Sequence, residues 1–351
     1  MSMLPTDHPR LGVIGTGLMG RAAAIAAGAH PGATVTALAN RTRPSADSLA
    51  DALVDDGHDR PEVFTRLDDL LAAGLVDALI VATPDDQHAD AVVAAAEAGV
   101  HVLVEKPFTT RVDDADRALD AVRRAGTLGM CLFNHRWVPA YAQAKEVAAG
   151  LGAPVLAYAR KNDTLHVPTE MLSWAGDTTC AWFLSSHDID LVTWLFDDDV
   201  AEVVASARSG VLRGRGIDTP DAVQIQCRFD GGAVATFESC WVYPDTFPTM
   251  TDSFVEVVYE GGVIQLDRLA ENITVADHSA YRHPRNVLLR SLHGRPSGAY
   301  HDAIGHFLDC VQTGAPPLVT LESSRHVTAV LAAAHESLRT GGPVRVPSAV
   351  V

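Results

Sequence analysis

Short apolar runs alternate with amphipathic stretches along the first third of the chain. The runs predict six β-strands, over residues 11–15, 34–39, near 63, 76–82, 100–104 and 128–133. The stretches between them predict helices over residues 19–29, 45–55, 67–73, 87–98 and 112–125. The run at 76–82 is apolar nearly throughout, which is typical of a central strand buried on both faces. This alternation predicts a doubly wound parallel sheet, the Rossmann architecture.

The pattern changes after residue 133. A helix over 140–149, a strand over 155–160, an irregular stretch and a helix over 187–196 are expected first. Apolar and polar residues then alternate with a period of two over residues 223–229, 233–241, 254–259 and 263–267, with two-residue turns expected at Gly231-Gly232 and Gly261-Gly262. Two helices, over 300–313 and 322–339, come last. The second half is therefore predicted to be an α+β domain with a large open, mainly antiparallel sheet, and the domains are expected at 1–133 and 134–351.

Composition narrows the classes of function. A chain of 351 residues is long enough for two cores. A formal net charge of −17 disfavours binding to nucleic acid or to anionic membranes. No apolar stretch approaches the ~20 residues that span a bilayer, and the N-terminus lacks the apolar core of a signal peptide, so a cytoplasmic location is expected. The five cysteines and fifteen histidines show no metal-ligand spacing, so no metal is predicted.

A glycine motif of the form G-x-G-x-x-G lies between the first predicted strand and its helix. The loop consists of Gly15, Thr16, Gly17, Leu18, Met19 and Gly20. In this context the first glycine permits a tight turn, the second lets the backbone approach a pyrophosphate, and the third allows close helix packing. The helix N-terminus receives the negative charge. The motif therefore predicts a dinucleotide-binding domain.

The end of the second predicted strand bears on the choice of cofactor. NAD-specific domains place an acidic residue there to bind the ribose 2′-hydroxyl, but this chain has Asn40, followed by Arg41, Thr42 and Arg43. Guanidinium groups accommodate a 2′-phosphate, which a carboxylate would repel. NADP(H) is therefore the preferred cofactor and NAD(H) the alternative. The arginines are also compatible with simple surface charges or with stacking on adenine.

Glu105, Lys106 and Pro107 directly follow the fifth predicted strand, and ligands bind outside the carboxyl ends of such strands. Only three of the 27 basic residues are lysines, so a lysine here is notable. A lysine can donate to a substrate oxygen or to the ribose. Unlike an arginine, it can also exchange its proton near neutrality when its pKa is shifted by burial. The alternative is that Lys106 pairs with Glu105.

The chain resembles the Gfo/Idh/MocA family of NAD(P)-dependent oxidoreductases over nearly its whole length. The resemblance rests on the glycine motif, on Ala82-Thr83-Pro84 with His88, on Glu105-Lys106-Pro107, on the stretch from Asn134 and Arg136 to Pro139, and on residues 340–344. It implies that the glycine motif, Ala82-Thr83-Pro84, His88, Glu105 and Lys106 hold the cofactor, with Asn134 and Arg136 near the nicotinamide. It also implies a homodimer or homotetramer formed through the C-terminal sheet, and hydride transfer on a small-molecule sugar, cyclitol or related polyol.

Catalysis in that family uses the lysine of the E-K-P segment and a later D-x-x-x-H pair. The resemblance assigns these roles to Lys106 and to His187, a natural proton acceptor near neutral pH. Phe183 occupies the aspartate position, which leaves the orientation of His187 to Asp190 or Lys106. A structural reading makes Ser185 and Asp188 a helix-capping box.

Four further residues are candidates for substrate contact: Asp163, Trp174, Trp182 and Asp190. Aromatic residues at such positions also serve as core residues. Two other functions remain open. One is an NAD-dependent glycoside hydrolase of the same fold, which would retain its dinucleotide. The other is a non-catalytic protein that senses nicotinamide redox state, for which the missing carboxylate at Phe183 is the main support.

Overall fold

The computed structural model describes residues 8–348, which divide into two compact units. The first contains the chain up to Trp137 together with Leu288–Arg325, and the second contains Val138–Val287 with the chain from His326 onward. The segment 288–325 thus packs with the N-terminal residues although it lies late in the sequence. The division of the chain into domains at 1–133 and 134–351 stays a prediction.

The first unit is built on a six-stranded parallel sheet with strand order β3-β2-β1-β4-β5-β6. Its strands are β1 (Arg10–Ile14), β2 (Thr34–Ala39), β3 (Glu62–Phe64), β4 (Ala78–Val81), β5 (His101–Val104) and β6 (Gly129–Cys131). The helices between them are α1 (Leu18–Gly28), α2 (Arg43–Asp55), α3 (Leu67–Ala72), α4 (His88–Glu97) and α5 (Val112–Ala125). The predicted Rossmann sheet is confirmed, with the predicted ranges within about two residues of the observed ones.

Burial and end effects explain these elements. All residues of β4 and β5 are buried, as expected for central parallel strands covered on both faces. Helix α5 carries Asp113 and Asp114 in its first turn and Arg123 and Arg124 in its last, which complements the helix dipole. It ends at Gly126, whose φ of +70° is the left-handed conformation that glycine tolerates.

The second unit contains a seven-stranded sheet with strand order β12-β11-β7-β10-β9-β8-β17. Its strands are β7 (Pro154–Thr164), β8 (Val200–Arg208), β9 (Ala222–Phe229), β10 (Val234–Tyr243), β11 (Thr251–Tyr259), β12 (Gly262–Asp267) and β17 (Val344–Arg345). Its helices are α6 (Pro139–Ala148), α7 (Ser186–Phe196) and α9 (Leu321–Thr340), the last of which begins in the first unit. A short hairpin pairs β13 (Val275–Ala276) with β14 (Tyr281–Arg282). In the first unit, β15 (Arg290–Leu292) pairs with β16 (Arg295–Ser297) ahead of α8 (Ala299–Thr313).

The large sheet is mainly antiparallel, as predicted, but β7 and β10 run parallel. Buried and more exposed residues alternate along β9 and β10, so one face packs inward and the other is outer. The inner face contacts α7. No helix within residues 8–348 is long and apolar enough to cross a membrane.

Both predicted hairpins form, but the predicted turn residues were wrong. Phe229 and Ala233 are joined across a three-residue loop that ends at Gly232, with φ of +94°. The second loop is Glu260-Gly261, because Tyr259 pairs with Gly262. Each glycine pair predicted a turn in the correct place, while strand register decided which residues belong to it.

Candidate functional site

The glycine loop after β1 shows why each glycine is needed. A Cβ atom on Gly15 would lie 2.2 Å from the carbonyl oxygen of Ala82, and one on Gly20 would lie 1.7 Å from that of Gly15. A Cβ on Gly17 would meet nothing within 4 Å. Gly15 and Gly20 are therefore required for internal packing, whereas Gly17 leaves open space at the N-terminus of α1. A dinucleotide pyrophosphate fits such a cradle, because main-chain N–H groups point at it and no side chain blocks its approach.

Asn40, at the end of β2, connects the glycine loop to the β2–α2 loop. Its Oδ1 accepts a 3.3 Å hydrogen bond from the main-chain N–H of Thr16. Its Nδ2 donates to Thr42, at 3.1 Å to the carbonyl oxygen and 2.8 Å to Oγ1. An aspartate would supply the first contact but not the donors. Arg41 and Arg43 are exposed beside this amide, and Arg43 forms an ion pair with Asp47 at 3.5 Å.

His88 joins the loops that follow β4 and β5. The side chain is fully buried, with Nδ1 2.9 Å from the carbonyl oxygen of Pro107 and Nε2 3.0 Å from that of Thr83. The imidazole therefore fixes the two loops, and Thr83 and Pro84 at the end of β4 are held in place with it.

Glu105, which follows β5, is linked through Tyr300 to the start of α1. Its carboxylate is buried and accepts a 2.7 Å hydrogen bond from the Tyr300 hydroxyl, which also lies 3.2 Å from the carbonyl oxygen of Met19 in the glycine loop. Burial raises the pKa of Glu105 and holds the pKa of Tyr300 well above its usual range. The main-chain N–H of Lys106 donates to Glu105 at 3.2 Å. Lys106 is partly exposed at the carboxyl end of β5.

A short turn of 3-10 helix, Asn134–Trp137, follows β6. The side chain of Arg136 is buried and donates to the carbonyl oxygen of Leu318 at 2.9 Å. The Oδ1 atom of Asn134 is buried and accepts no hydrogen bond from any described residue. An unsatisfied amide oxygen of this kind costs about 1–3 kcal/mol, which a donor such as a nicotinamide carboxamide would relieve. The glycine loop thus fits the pyrophosphate of a dinucleotide, and the position of the nicotinamide near Asn134 and Arg136 stays a prediction.

His187 lies in the first turn of α7, directly after a π-helical segment, Ala181–Ser185. Phe183, four residues earlier, contacts two tryptophans. Its ring centroid lies 6.2 Å from that of Trp174 and 5.7 Å from that of Trp241. Phe183, which stands where the resemblance implies an aspartate, is therefore part of an aromatic cluster.

The predicted capping box at the start of α7 was wrong. Ser185 is the N-cap residue, but its side chain makes no capping hydrogen bond. Asp188 instead pairs with Lys161 of β7, with 2.5 Å between Nζ and Oδ1. Both side chains are buried. Burial lowers the pKa of Lys161 to about 8 and raises the pKa of Asp188.

Polar residues interrupt the inner face of the sheet beside this ion pair. Lys161 is the register partner of Ser239 on β10 and of Ser253 on β11, so the three side chains form a row across three strands. The hydroxyl oxygen of Ser239 is buried without a hydrogen-bond partner in the described part of the chain, as is Oδ2 of Asp188. The sequence analysis did not identify this row. Its signal was the break in apolar alternation along β7, from Ala157 and Ala159 to Lys161.

The four candidate substrate residues have different surroundings. Asp163 and Asp190 are buried, and Asp163 accepts a 2.5 Å hydrogen bond from Thr251. Trp182 is buried and stacks on His335 at 5.3 Å, which favours a core role. Trp174 is partly exposed. Their contact with substrate stays a prediction.

Comparison with known proteins gives a family for both halves of the chain. Residues 9–133 match the model of the Gfo/Idh/MocA oxidoreductase family, NAD-binding Rossmann fold. Residues 145–346 match the model of the same family's C-terminal α/β domain.

Individual relatives are similar over most of their length. The chain is 29% identical over 283 residues to the scyllo-inositol 2-dehydrogenase (NAD(+)) of Bacillus subtilis, covering 77% of this chain and 78% of that one. It is 28% identical over 344 residues to D-xylose 1-dehydrogenase (NADP(+)) 2 of Haloferax volcanii, covering 95% and 98%. The crystal structure of scyllo-inositol dehydrogenase from Lactobacillus casei with bound NAD(H) and scyllo-inositol has the same fold, with a TM-score of 0.80, 18% identity and coverage of 97% and 99%.

Proposed function

The chain belongs to the Gfo/Idh/MocA oxidoreductase family, and from this premise we propose that it transfers hydride between a nicotinamide cofactor and a sugar, cyclitol or related polyol. The observation that carries the proposal is the glycine loop, where Gly15 and Gly20 are closed by packing and Gly17 faces open space. The relatives are dehydrogenases named for scyllo-inositol and for D-xylose, which supports this substrate class.

NADP(H) is the cofactor we propose as preferred, with NAD(H) accepted less well. Asn40 supplies an amide where a carboxylate would repel the 2′-phosphate, and the exposed guanidinium groups of Arg41 and Arg43 lie next to it in the chain. The relatives include one enzyme named for NAD(+) and one named for NADP(+). The ratio of kcat/KM for NADPH and NADH measures the preference directly.

Two side chains are proposed to carry the chemistry. In the direction of alcohol oxidation, the substrate C–H bond breaks with its electron pair, and the bound cofactor supplies the hydride acceptor. His187 takes the hydroxyl proton as the carbonyl forms. Lys106 donates a hydrogen bond to the same oxygen and favours the charge that develops on it. In the reverse direction His187 returns the proton to the oxygen.

The outer face of the large sheet is the proposed site of self-association, giving a homodimer or homotetramer. An apolar row crosses four strands through the register partners Val263, Val258, Leu156 and Val234. Val263 is 57% exposed and Val234 44% exposed, so the row presents a continuous apolar surface. Light scattering is expected to show a dimer or tetramer for the wild type and a smaller species for Leu156→Glu.

Absorbance at 340 nm tests the proposed reaction. Purified protein with NADP(H) or NAD(H) and a panel of polyols and ketoses should show net cofactor turnover that Lys106→Ala and His187→Ala abolish. A dinucleotide that copurifies while glycosides are hydrolysed without net turnover would identify the hydrolase instead. Tight cofactor binding with no chemistry, and with unchanged affinity in His187→Ala, would identify the redox sensor.

A further inference from the structure

The aromatic cluster beside His187 has a specific composition. Phe183, Trp174 and Trp241 form it, and all three lie in the second unit. Trp241 is fully buried near the end of β10, whereas Phe183 and Trp174 are partly exposed. The cluster therefore has a buried base and an accessible surface.

The packing of the three rings makes this surface rigid. Phe183 meets Trp174 at an interplanar angle of 65° and Trp241 at 59°, with centroid distances of 6.2 Å and 5.7 Å. The first pair is edge-to-face and the second is tilted, and both centroid distances lie within the favourable range for aromatic pairs. Because Phe183 is held between the two tryptophans, binding a ligand against it does not require its ring to be ordered first.

The buried base of the cluster contains an unusual polar group. The indole N–H of Trp241 is buried and finds no acceptor among residues 8–348. Buried tryptophan N–H groups usually have a hydrogen-bond partner, so this donor indicates that a hydroxyl or a water completes the cluster.

The position of Phe183 connects the cluster to the proposed chemistry. Residues four apart lie on the same side of a helical segment, so Phe183 and His187 share a face. A carboxylate at position 183 would bind a hydroxyl or an imidazole N–H. A phenyl ring does neither. Its π-electrons make the ring face electronegative, so it is suited to contact with the weakly positive hydrogens of C–H groups.

We propose that Phe183 and Trp174 form a stacking surface for the C–H face of a six-membered ring, which makes the enzyme select cyclic sugars and cyclitols over open-chain polyols. This inference rests on the proposed function, whose substrate class it narrows. A pyranose or cyclitol with mostly equatorial hydroxyls presents its axial hydrogens as a flat apolar face. An open-chain polyol has no such face, and it loses the freedom of several rotatable bonds when it binds.

Matched pairs of ligands test the proposal by binding as well as by turnover. Isothermal titration of the cofactor-loaded protein compares myo-inositol with sorbitol, and D-xylose with xylitol. The wild type is expected to bind each ring more tightly than its open-chain partner. In Phe183→Leu and Trp174→Leu, ring affinity should fall about three- to tenfold, or ~0.7–1.4 kcal/mol. Open-chain affinity should change less than twofold.

Controls separate a loss of stacking from a loss of fold. Tyr281→Leu removes an exposed aromatic ring from the hairpin strand β14 and should leave every affinity unchanged. Phe183→Tyr keeps an aromatic ring and should retain the preference for rings, whereas Phe183→Asp should lose it. Circular dichroism and melting temperature verify that each variant is folded.

The outcomes distinguish this inference from the proposed function. Equal affinity for rings and open chains in the wild type, or an unchanged ring preference in both leucine variants, overturns the stacking surface even if hydride transfer occurs. Selective ring binding that both leucine variants weaken supports it, even if no polyol is oxidised. If no polyol or sugar binds, both are overturned.

Discussion

Replacing Lys161 with methionine is expected to destabilise the second unit strongly. The Lys161 and Asp188 side chains are 5% and 1% exposed, and their 2.5 Å contact joins β7 to the first turn of α7. Removing the ammonium leaves a buried carboxylate, whose Oδ2 already has no other partner in the described part of the protein. Breaking such a pair costs about 3–5 kcal/mol, because the remaining carboxylate is buried away from water and only the electrostatic attraction of Arg268 still offsets its charge.

The double variant Lys161→Met/Asp188→Leu is expected to recover most of this loss. Removing both charges also removes the desolvation cost of both, and apolar replacements of buried pairs are often neutral or stabilising. At ~2–4 °C per kcal/mol for a unit of this size, Lys161→Met should melt roughly 6–20 °C below the wild type, and the double variant close to it. Arg213→Met is the matched control, since the Arg213–Asp218 pair is exposed and should contribute less than about 1 kcal/mol.

Thermal melting followed by circular dichroism compares these proteins. Urea unfolding of the wild type, Lys161→Met, Asp188→Leu and the double variant gives the free energies for a double-mutant cycle. The account predicts a large favourable coupling between Lys161 and Asp188. A Lys161→Met melting temperature within about 2 °C of the wild type, or a double variant no more stable than the single, would refute the reasoning.

Three further predictions concern the first unit. Gly15→Ala should fold poorly because its Cβ meets a carbonyl oxygen at 2.2 Å, whereas Gly17→Ala should keep its melting temperature and lose cofactor affinity in a titration followed by cofactor fluorescence; equal effects would contradict the geometry. Asn40→Asp should lower the ratio of kcat/KM for NADPH over NADH by about tenfold, because a carboxylate repels the 2′-phosphate; an unchanged ratio would exclude this position from cofactor selection. Tyr300→Phe removes the 2.7 Å donor to Glu105 and should cost about 1–3 kcal/mol at pH 7, with part of the loss regained at acid pH where the carboxyl is protonated; a loss independent of pH would point to packing alone.

The Rossmann sheet was accessible from the sequence because its signals are local. Each apolar run of the first unit is bounded by turn residues, and the glycine motif specifies both a turn and a helix start. The parallel pairing of β7 with β10 was not accessible, because 69 residues separate Pro154–Thr164 from Val234–Tyr243 and no local pattern sets their relative direction. The register of the hairpins was also missed. Two adjacent glycines predict a turn, but they do not determine which of them lies in the loop and which pairs within a strand.

The same distinction between local and long-range information applies to the candidate site. Lys106 and His187 could be proposed as catalytic residues from the sequence because their motifs are contiguous in the chain, and these roles stay predictions. Lys161 was missed because its partner Asp188 is 27 residues away, and a capping box was the simpler local reading of that aspartate. The aromatic surroundings of Phe183 likewise depend on Trp241, which only the folded sheet brings to it.

Spectrophotometric assay of the purified protein and its Lys106→Ala variant tests the central claim most directly. With NADPH and a panel of ketoses and ketocyclitols, and with NADP⁺ and the corresponding alcohols, the account predicts turnover at 340 nm by the wild type on at least one substrate. It also predicts loss of turnover in Lys106→Ala, with the melting temperature and cofactor affinity kept. Full activity in Lys106→Ala, or no absorbance change with either cofactor across the panel, would contradict the proposed hydride transfer.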